Sequence, residues 1–294
     1  MSLAFPFVAQ RLFNTPLAVH KPKAEIVVAA LAGRLGISSL NVDGRRAVPL
    51  LGRETVAGDW YGGDYGGVGD TPYDPTGGIA VIPVRGTLVQ RTGTMRPYSG
   101  MTGYDGIRQA LAAAIGDDAI DAIVLDIDSP GGEVAGCFDL VDEIYALRGE
   151  KPIWAILAEN AYSAAYAVAS AADRVIVPRT GGSGSVGVIC LHADFSGALE
   201  QAGIAVTLIS YGDRKTEGNE YQPLSEPALA RFQADIDAMG DLFVNTVARN
   251  RGLSIAAVRD TQAGTFLGVA GVDIGFADAV MAPGEAFLEL LRQL

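Results

Sequence analysis

The stretch from Ile153 to Val177, I-W-A-I-L-A-E-N-A-Y-S-A-A-Y-A-V-A-S-A-A-D-R-V-I-V, leaves little choice of fold. An apolar run from Ile153 to Ala158 stops at Glu159-Asn160. A helix of small residues follows, and a second apolar run, Val175 to Val177, closes the unit. Short, nearly continuous apolar runs on either side of a helix are the mark of strands buried on both faces of a parallel sheet. Ser163 falls in the first turn of that helix, just past the strand. There its hydroxyl points out of the strand's end. The N–H groups beside it have no intrahelical partner and favour a developing negative charge. This geometry suits a nucleophile.

The same pattern recurs along the chain. Ile79–Val84 and Thr87–Val89 read as strands, with Pro83 marking an edge. Tyr104–Ile115 has helical spacing through Ile107, Leu111 and Ile115. Ala122–Ile127 reads as a parallel strand running into a turn, Asp128 to Gly132, and then a helix from Glu133 to Arg148. Strands are expected again at Ile153–Leu157, Arg174–Val177 and Val206–Ser210. A long amphipathic helix is expected over Glu226–Arg251, with Phe232, Ile236, Met239, Phe243 and Val247 on one stripe. The tail from Thr265 to Val280 alternates turns with short apolar runs. The expectation is an α/β domain with right-handed crossovers. It would span residues 78–283, with a C-terminal helix over 284–294. Before it come an N-terminal region, 1–52, with one helix at Glu25–Leu35, and a Gly/Asp-rich linker, 53–77, whose Trp60 and tyrosines are free to dock elsewhere.

With 294 residues, 49% of them hydrophobic and 19% charged, the chain can bury a sizeable core. A net charge of −12 argues against nucleic-acid binding, which depends on basic residues. Two cysteines, Cys137 and Cys190, make neither a disulfide framework nor zinc spacing, so a reducing cytoplasm is the expected setting. No run reaches the roughly 18 apolar residues of a membrane span. Ile26–Ala32 follows Lys21 and Lys23 but is short and ends at Gly33-Arg34, which favours a packed helix over a signal peptide.

Four features could carry chemistry. Ser129-Pro130-Gly131-Gly132 lies at the carboxyl end of a predicted parallel strand, where open α/β sheets place ligands, and paired glycines let the backbone approach a substrate oxygen. A plain βα turn explains the motif equally well. Of the two histidines, only His192, near Asp194, could complete a triad with Ser163. Residues two apart do not face each other on a helix, so a structural histidine is favoured. Lys215 is one of four lysines. It sits in G-D-R-K-T-E-G-N, where Arg214 beside it and desolvation would ease proton loss. Pairing with Glu217 or Glu220 is the alternative, and the residues alone leave the choice open. Gly182-Ser183-Gly184-Ser185-Val186-Gly187 fits G-x-G-x-x-G, but no acidic strand end follows at the required distance. A backbone lining a groove is the better reading.

In that order, D-S-P-G-G, Y-S-A-A-Y-A-V-A-S-A-A-D, G-S-G-S-V-G-V and I-S-Y-G-D-R-K-T-E-G-N resemble the signal peptide peptidase A family of serine peptidases. The likeness is strongest to its phage branch, the capsid assembly (prohead) proteases of lambda-type phages. It covers about Gly78 to Val280 and extends to A-L-A-G-R-L-G-I-S-S-L and P-Y-S-G-M-T-G-Y-D-G-I. The resemblance implies a ClpP/crotonase-like fold and a Ser–Lys dyad needing no cofactor and no metal. Ser163 would be the nucleophile and Lys215 the general base, in the same chain or from a neighbouring protomer of a ring. Gly131, Gly132 and Ala164 would form the oxyanion hole. The implied substrates are capsid, portal or scaffold proteins, cut in the host cytoplasm or inside the prohead. Alternatives are a cytoplasmic peptidase of the same family, a scaffolding oligomer with a vestigial site, and acyl-CoA chemistry on the same fold. Departures from the family pattern are Ala164, where cellular members often carry glycine, the lack of their membrane anchor, and an end at Leu294 without the scaffold-like tail of the phage relatives.

Overall fold

A computed structural model describes Arg11, residues 13–21, 23–24 and 27, the backbone of 40–42 and 45–47, and residues 71–294. The helix expected over Glu25–Leu35, apart from Val27, and the linker around Trp60 lie outside the described residues.

In chain order the elements begin with β1 (Pro16–Val19), a hairpin of β2 (Leu40–Val42) and β3 (Arg45–Ala47), β4 (Asp74–Thr76), β5 (Ile79–Arg85), β6 (Thr87–Val89) and β7 (Met101–Gly103). Next come α1 (Tyr104–Gly116), β8 (Ala122–Ser129), β9 (Gly131–Glu133), α2 (Cys137–Ala146), β10 (Ile153–Tyr162), α3 (Ala164–Ser170), β11 (Arg174–Val177), β12 (Gly182–Gly184) and β13 (Ile189–Cys190). The chain ends with α4 (Ser196–Gln201), α5 (Glu226–Arg251), α6 (Ile255–Arg259), β14 (Thr265–Leu267), α7 (Val269–Asp273), β15 (Ala279–Val280) and α8 (Pro283–Leu291).

The main sheet runs β14-β12-β10-β8-β5-β4, with β11 beside β10 and β15 beside β11. Its centre is parallel, as the apolar runs require, and antiparallel β4 and β14 sit at its edges. Period-two alternation sends β8 side chains to both faces. Ile123, Leu125 and Ile127 join the large core under α1, α2 and α3. Ala122 and Val124 join Trp154, Ile156 and Ile176 beneath Ala286 and Leu290 of α8. The C-terminal helix therefore closes the sheet's second face. Pairing of β4 with β5 stops at Val81, so Pro83 occupies a stretch of edge that asks for no donor from it.

A second sheet, β13-β1-β9-β6-β7, stands beside the first. It contains the clearest difference from the sequence reading. Gly131 and Gly132 are not a simple turn leading into a helix. They form β9, and the helix expected from Glu133 starts only at Cys137, after Gly136 at a left-handed φ of 80°. A Cβ on Gly132 would strike the Leu88 carbonyl of β6, so glycine is what lets these strands approach. The strand expected at Val206–Ser210 is irregular. Ile209 is 95% exposed, because an apolar run needs a sheet edge and this segment meets none among the described residues. Helix α5 has the expected limits. Its Phe243 and Val247 are buried, while Phe232, Ile236 and Met239 are only half-buried, since its first half stands away from the core.

Candidate active site

Strand β10 delivers Ser163 to the junction of the two sheets. On one edge its first half pairs with β11 (Trp154–Ile156) and its last residues pair with β12 (Asn160–Tyr162). On the other edge the β8 register shifts between Leu157 and Ala161. The strand thus leaves one partner for another and stops at Ser163, the N-cap of α3, with φ 55° and ψ −123°. A non-glycine residue there costs on the order of 1–3 kcal/mol and persists only where its surroundings impose it. Here the Ser163 N–H donates to Gly184 O (2.8 Å) and its carbonyl accepts from Ala167 N–H (2.9 Å), so both sides of the residue are fixed. The hydroxyl makes one long contact, to Gly187 O at 3.4 Å. The residue is fully buried.

Helix α3 is held as firmly as the serine. All seven of its residues are buried, and small side chains bring it against the strands. Arg148 ends it: Nε donates to Ala171 O (2.8 Å), and Nη2 to Ser170 O (3.0 Å), Ala172 O (2.6 Å) and Asn250 O (3.2 Å). Beneath the helix Cys137 is fully buried, with Sγ 3.9 Å from Ala164 O. Burial pushes its thiol up to about 12.

The three expected oxyanion donors differ in their surroundings. Gly131, at φ 94°, donates its N–H to Ser129 Oγ (3.1 Å), which itself donates to Gly86 O (2.6 Å). A Cβ on Gly131 would lie 2.8 Å from Tyr162 O, 3.0 Å from Ala164 N and closer still to Ala18 O. The N–H of Ala164, first in its helix, has no intrahelical acceptor. Gly132 lies opposite Ala18 in the β1–β9 ladder.

Lys215 is not brought to Ser163 within one chain. It lies in a turn, exposed, and its ammonium makes no hydrogen bond or ion pair among the described residues. The pairing with Glu217 that was left open does not form, because Arg231 takes that carboxylate with both Nε and Nη2. His192 is structural, with Nδ1 3.0 Å from Asn14 Oδ1, and Asp194 accepts from Ser196 N–H (2.8 Å), so no triad with Ser163 assembles. His20 packs on Tyr162, ring centres 4.6 Å apart, and burial lowers its pKa. The glycines of the G-x-G-x-x-G match are accounted for by packing. Gly182 faces the Tyr162 ring and Gly184 adopts φ 109° within β12.

The sequence reading passed over β1. Its signal is modest: P-L-A-V after Thr15 is a short apolar run, and its strand partners β9 and β13 lie more than a hundred residues away. Ser129 and Arg148 were also missed, since their roles depend on carbonyls far away in sequence.

The chain matches Peptidase family S49 over residues 146–293. It is 41% identical to capsid assembly protease C of Escherichia phage lambda, over 96% of this chain and 64% of that protein. It is likewise 41% identical to the head-tail preconnector protein GP5 of Enterobacteria phage P21, over 93% of this chain and 54% of that protein. The chain thus spans less than two thirds of the length of either phage relative. A more distant likeness, 26% identity over 73% of this chain and 34% of the relative, links it to protease 4 of Haemophilus influenzae. Four ordered motifs in the sequence had pointed the same way, and the chain belongs to peptidase family S49.

Proposed function

We propose that this protein is a serine endopeptidase that cuts phage or prophage head proteins, capsid, portal or scaffold, during assembly, using Ser163 as nucleophile and Lys215 as general base. The observation that carries the reading is Ser163 itself, a buried serine held at a strained strand-to-helix turn beside the Ala164 N–H and the β9 glycines. Lys215 removes the hydroxyl proton as Oγ attacks the peptide carbonyl. The N–H groups of Ala164 and Gly132 receive the oxyanion; its collapse breaks the C–N bond while Lys215 hands the proton to the leaving amine. Water, deprotonated by Lys215, then attacks the acyl-enzyme to free the carboxylate product and restore the Ser163 hydroxyl. Gly132 is the better donor of the glycine pair, because the Gly131 N–H is already committed to Ser129 Oγ.

Lys215 reaches the serine of a neighbouring copy in a ring. The exposed position of Lys215 supports this, as does the segment before it, where Ile209 and Tyr211 lie 95% and 101% exposed, uncovered by any described residue. The fold is ClpP/crotonase-like, with the second sheet and α3 enclosing the site. The chemistry needs neither metal nor cofactor, and the work is done in the host cytoplasm or the prohead.

The test is cleavage of casein and of head proteins co-expressed from the same phage, with wild type, Ser163→Ala and Lys215→Ala side by side. Cleavage by wild type alone, with both variants folded, is expected. Equal behaviour of all three would reduce the chain to a structural relative without activity.

A further inference from the structure

We propose that β1, Pro16–Val19, lies in the peptide groove of this site as the chain's own substrate-like strand, with Ala18 in the position of the residue on the amino side of a scissile bond. This rests on Ser163 being the nucleophile and Gly132 and Ala164 the oxyanion donors. Four observations carry it.

First, β1 fills a slot between two other strands. It pairs antiparallel with β9 on one side (Leu17↔Glu133, Ala18↔Gly132, Val19↔Gly131) and antiparallel with β13 on the other (Pro16↔Cys190, Leu17↔Ile189). An extended peptide recognised by main-chain bonds along both edges is held in this manner.

Second, the register aims one particular carbonyl. His20 N–H donates to Pro130 O (2.8 Å) and Val134 N–H to Pro16 O (3.4 Å). Bonded pairs alternate along an antiparallel ladder, so the pair between these two, Ala18 and Gly132, also exchanges bonds. The Ala18 carbonyl therefore faces the Gly132 N–H. It also crowds the Cα of Gly131 from the side on which Ala164 N lies. A reacting carbonyl would have to sit there.

Third, the two faces of β1 are unlike. Ala18 is fully buried and belongs to the same core cluster as Ala164 and Ala165. Leu17 belongs to a separate small cluster, and Leu17 and Val19 line a cavity of about 210 Å³ with Val27, Val89 and Met101. Packing is tight where a specificity pocket would lie and loose on the other face, so the strand can be exchanged for another. Fourth, His20, two residues beyond Ala18, packs with its ring tilted against Tyr162, the residue before the nucleophile.

Two consequences follow. The groove takes extended peptides carrying alanine, or a residue equally small, before the scissile bond. With β1 seated the site is covered, consistent with Ser163 being fully buried.

The test uses the full chain and a fluorophosphonate probe, with the rate of labelling at Ser163 as the readout. Ala18→Phe cannot enter the buried pocket. Leu17→Asp unseats the strand from its other face, and it serves should Ala18→Phe fail to fold. Each is expected to label at least about tenfold faster than wild type. A capped peptide of sequence T-P-L-A-V-H-K should slow the accelerated variant again, and the same peptide with Phe for Ala should not. Equal labelling of wild type and both folded variants at Ser163 would overturn the strand assignment while leaving the nucleophile standing. Absence of labelling in every form would count against the nucleophile instead. The strand is then decided by hydrogen exchange in the wild-type chain: protected Ala18 and His20 amides support it, and amides that exchange as fast as an unstructured peptide overturn it.

Discussion

Replacing Arg148 should unseat the helix that Ser163 caps. Its guanidinium donates to four carbonyls, those of Ser170, Ala171 and Ala172 at the end of α3 and of Asn250 near the end of α5. All four acceptor residues are buried, and helix-end carbonyls have no intrahelical donor. Arg148→Met keeps much of the aliphatic stem but leaves these oxygens without their donor. Each lost bond costs about 1 kcal/mol net, and more where a buried acceptor stays unsatisfied. Arg148 itself is only half-buried, so water can reach part of the gap. A loss of about 3–4 kcal/mol is expected on this basis. Arg148→Lys, with a point charge in place of a planar fork, should recover less than half of it. Urea unfolding followed by circular dichroism, with equal m-values for all forms, measures the difference. A loss under about 1 kcal/mol for Arg148→Met would refute the idea that this residue ties the two helix ends together.

Gly132→Ala should abolish activity and lower stability by several kcal/mol, roughly in the range of other overpacked sites, because the new Cβ meets the Leu88 backbone rather than a movable side chain. Peptidase activity and thermal unfolding would check both parts, and a stable, active variant would contradict the packing of β6 on β9. Tyr166 donates its hydroxyl to Phe276 O at 2.9 Å in a buried site, so Tyr166→Phe should cost about 1–2 kcal/mol by denaturant unfolding. The Cys137 thiol, held up to about 12 by burial, stays neutral in the folded chain while the unfolded chain ionises from about 9. Its contribution to stability is full below pH 9 and is lost as pH climbs toward 12. The stability gap between wild type and Cys137→Ala should therefore shrink between pH 8 and 11, and a gap that widens would contradict the assignment.

The parallel core was legible because β8, β10 and β11 are apolar on both faces, and such runs hardly fit anything else. The place of Ser163 between a strand and a helix was legible because strand, serine and small-residue helix are contiguous. What the sequence did not reveal depends on partners distant along the chain. Gly131-Gly132 reads as a turn, and Glu133 as the start of a helix, until β1 and β6 are there to pair with them. Val206–Ser210 has a strand's composition but meets no edge among the described residues, so its pattern alone misleads. Lys215 was picked out by its motif, yet in the folded chain it stands exposed in a turn with no hydrogen bond to Ser163, which no local pattern encodes.

The most direct test of the account is the site of covalent attack. The full chain would be treated with a fluorophosphonate until labelling is complete, digested, and mapped by mass spectrometry alongside Ser163→Ala and Lys215→Ala. A single adduct on Ser163, absent from Ser163→Ala and much slower to form in Lys215→Ala, is the predicted result. An adduct on another residue, or a Lys215→Ala chain that reacts as fast as wild type, would contradict the Ser163–Lys215 dyad.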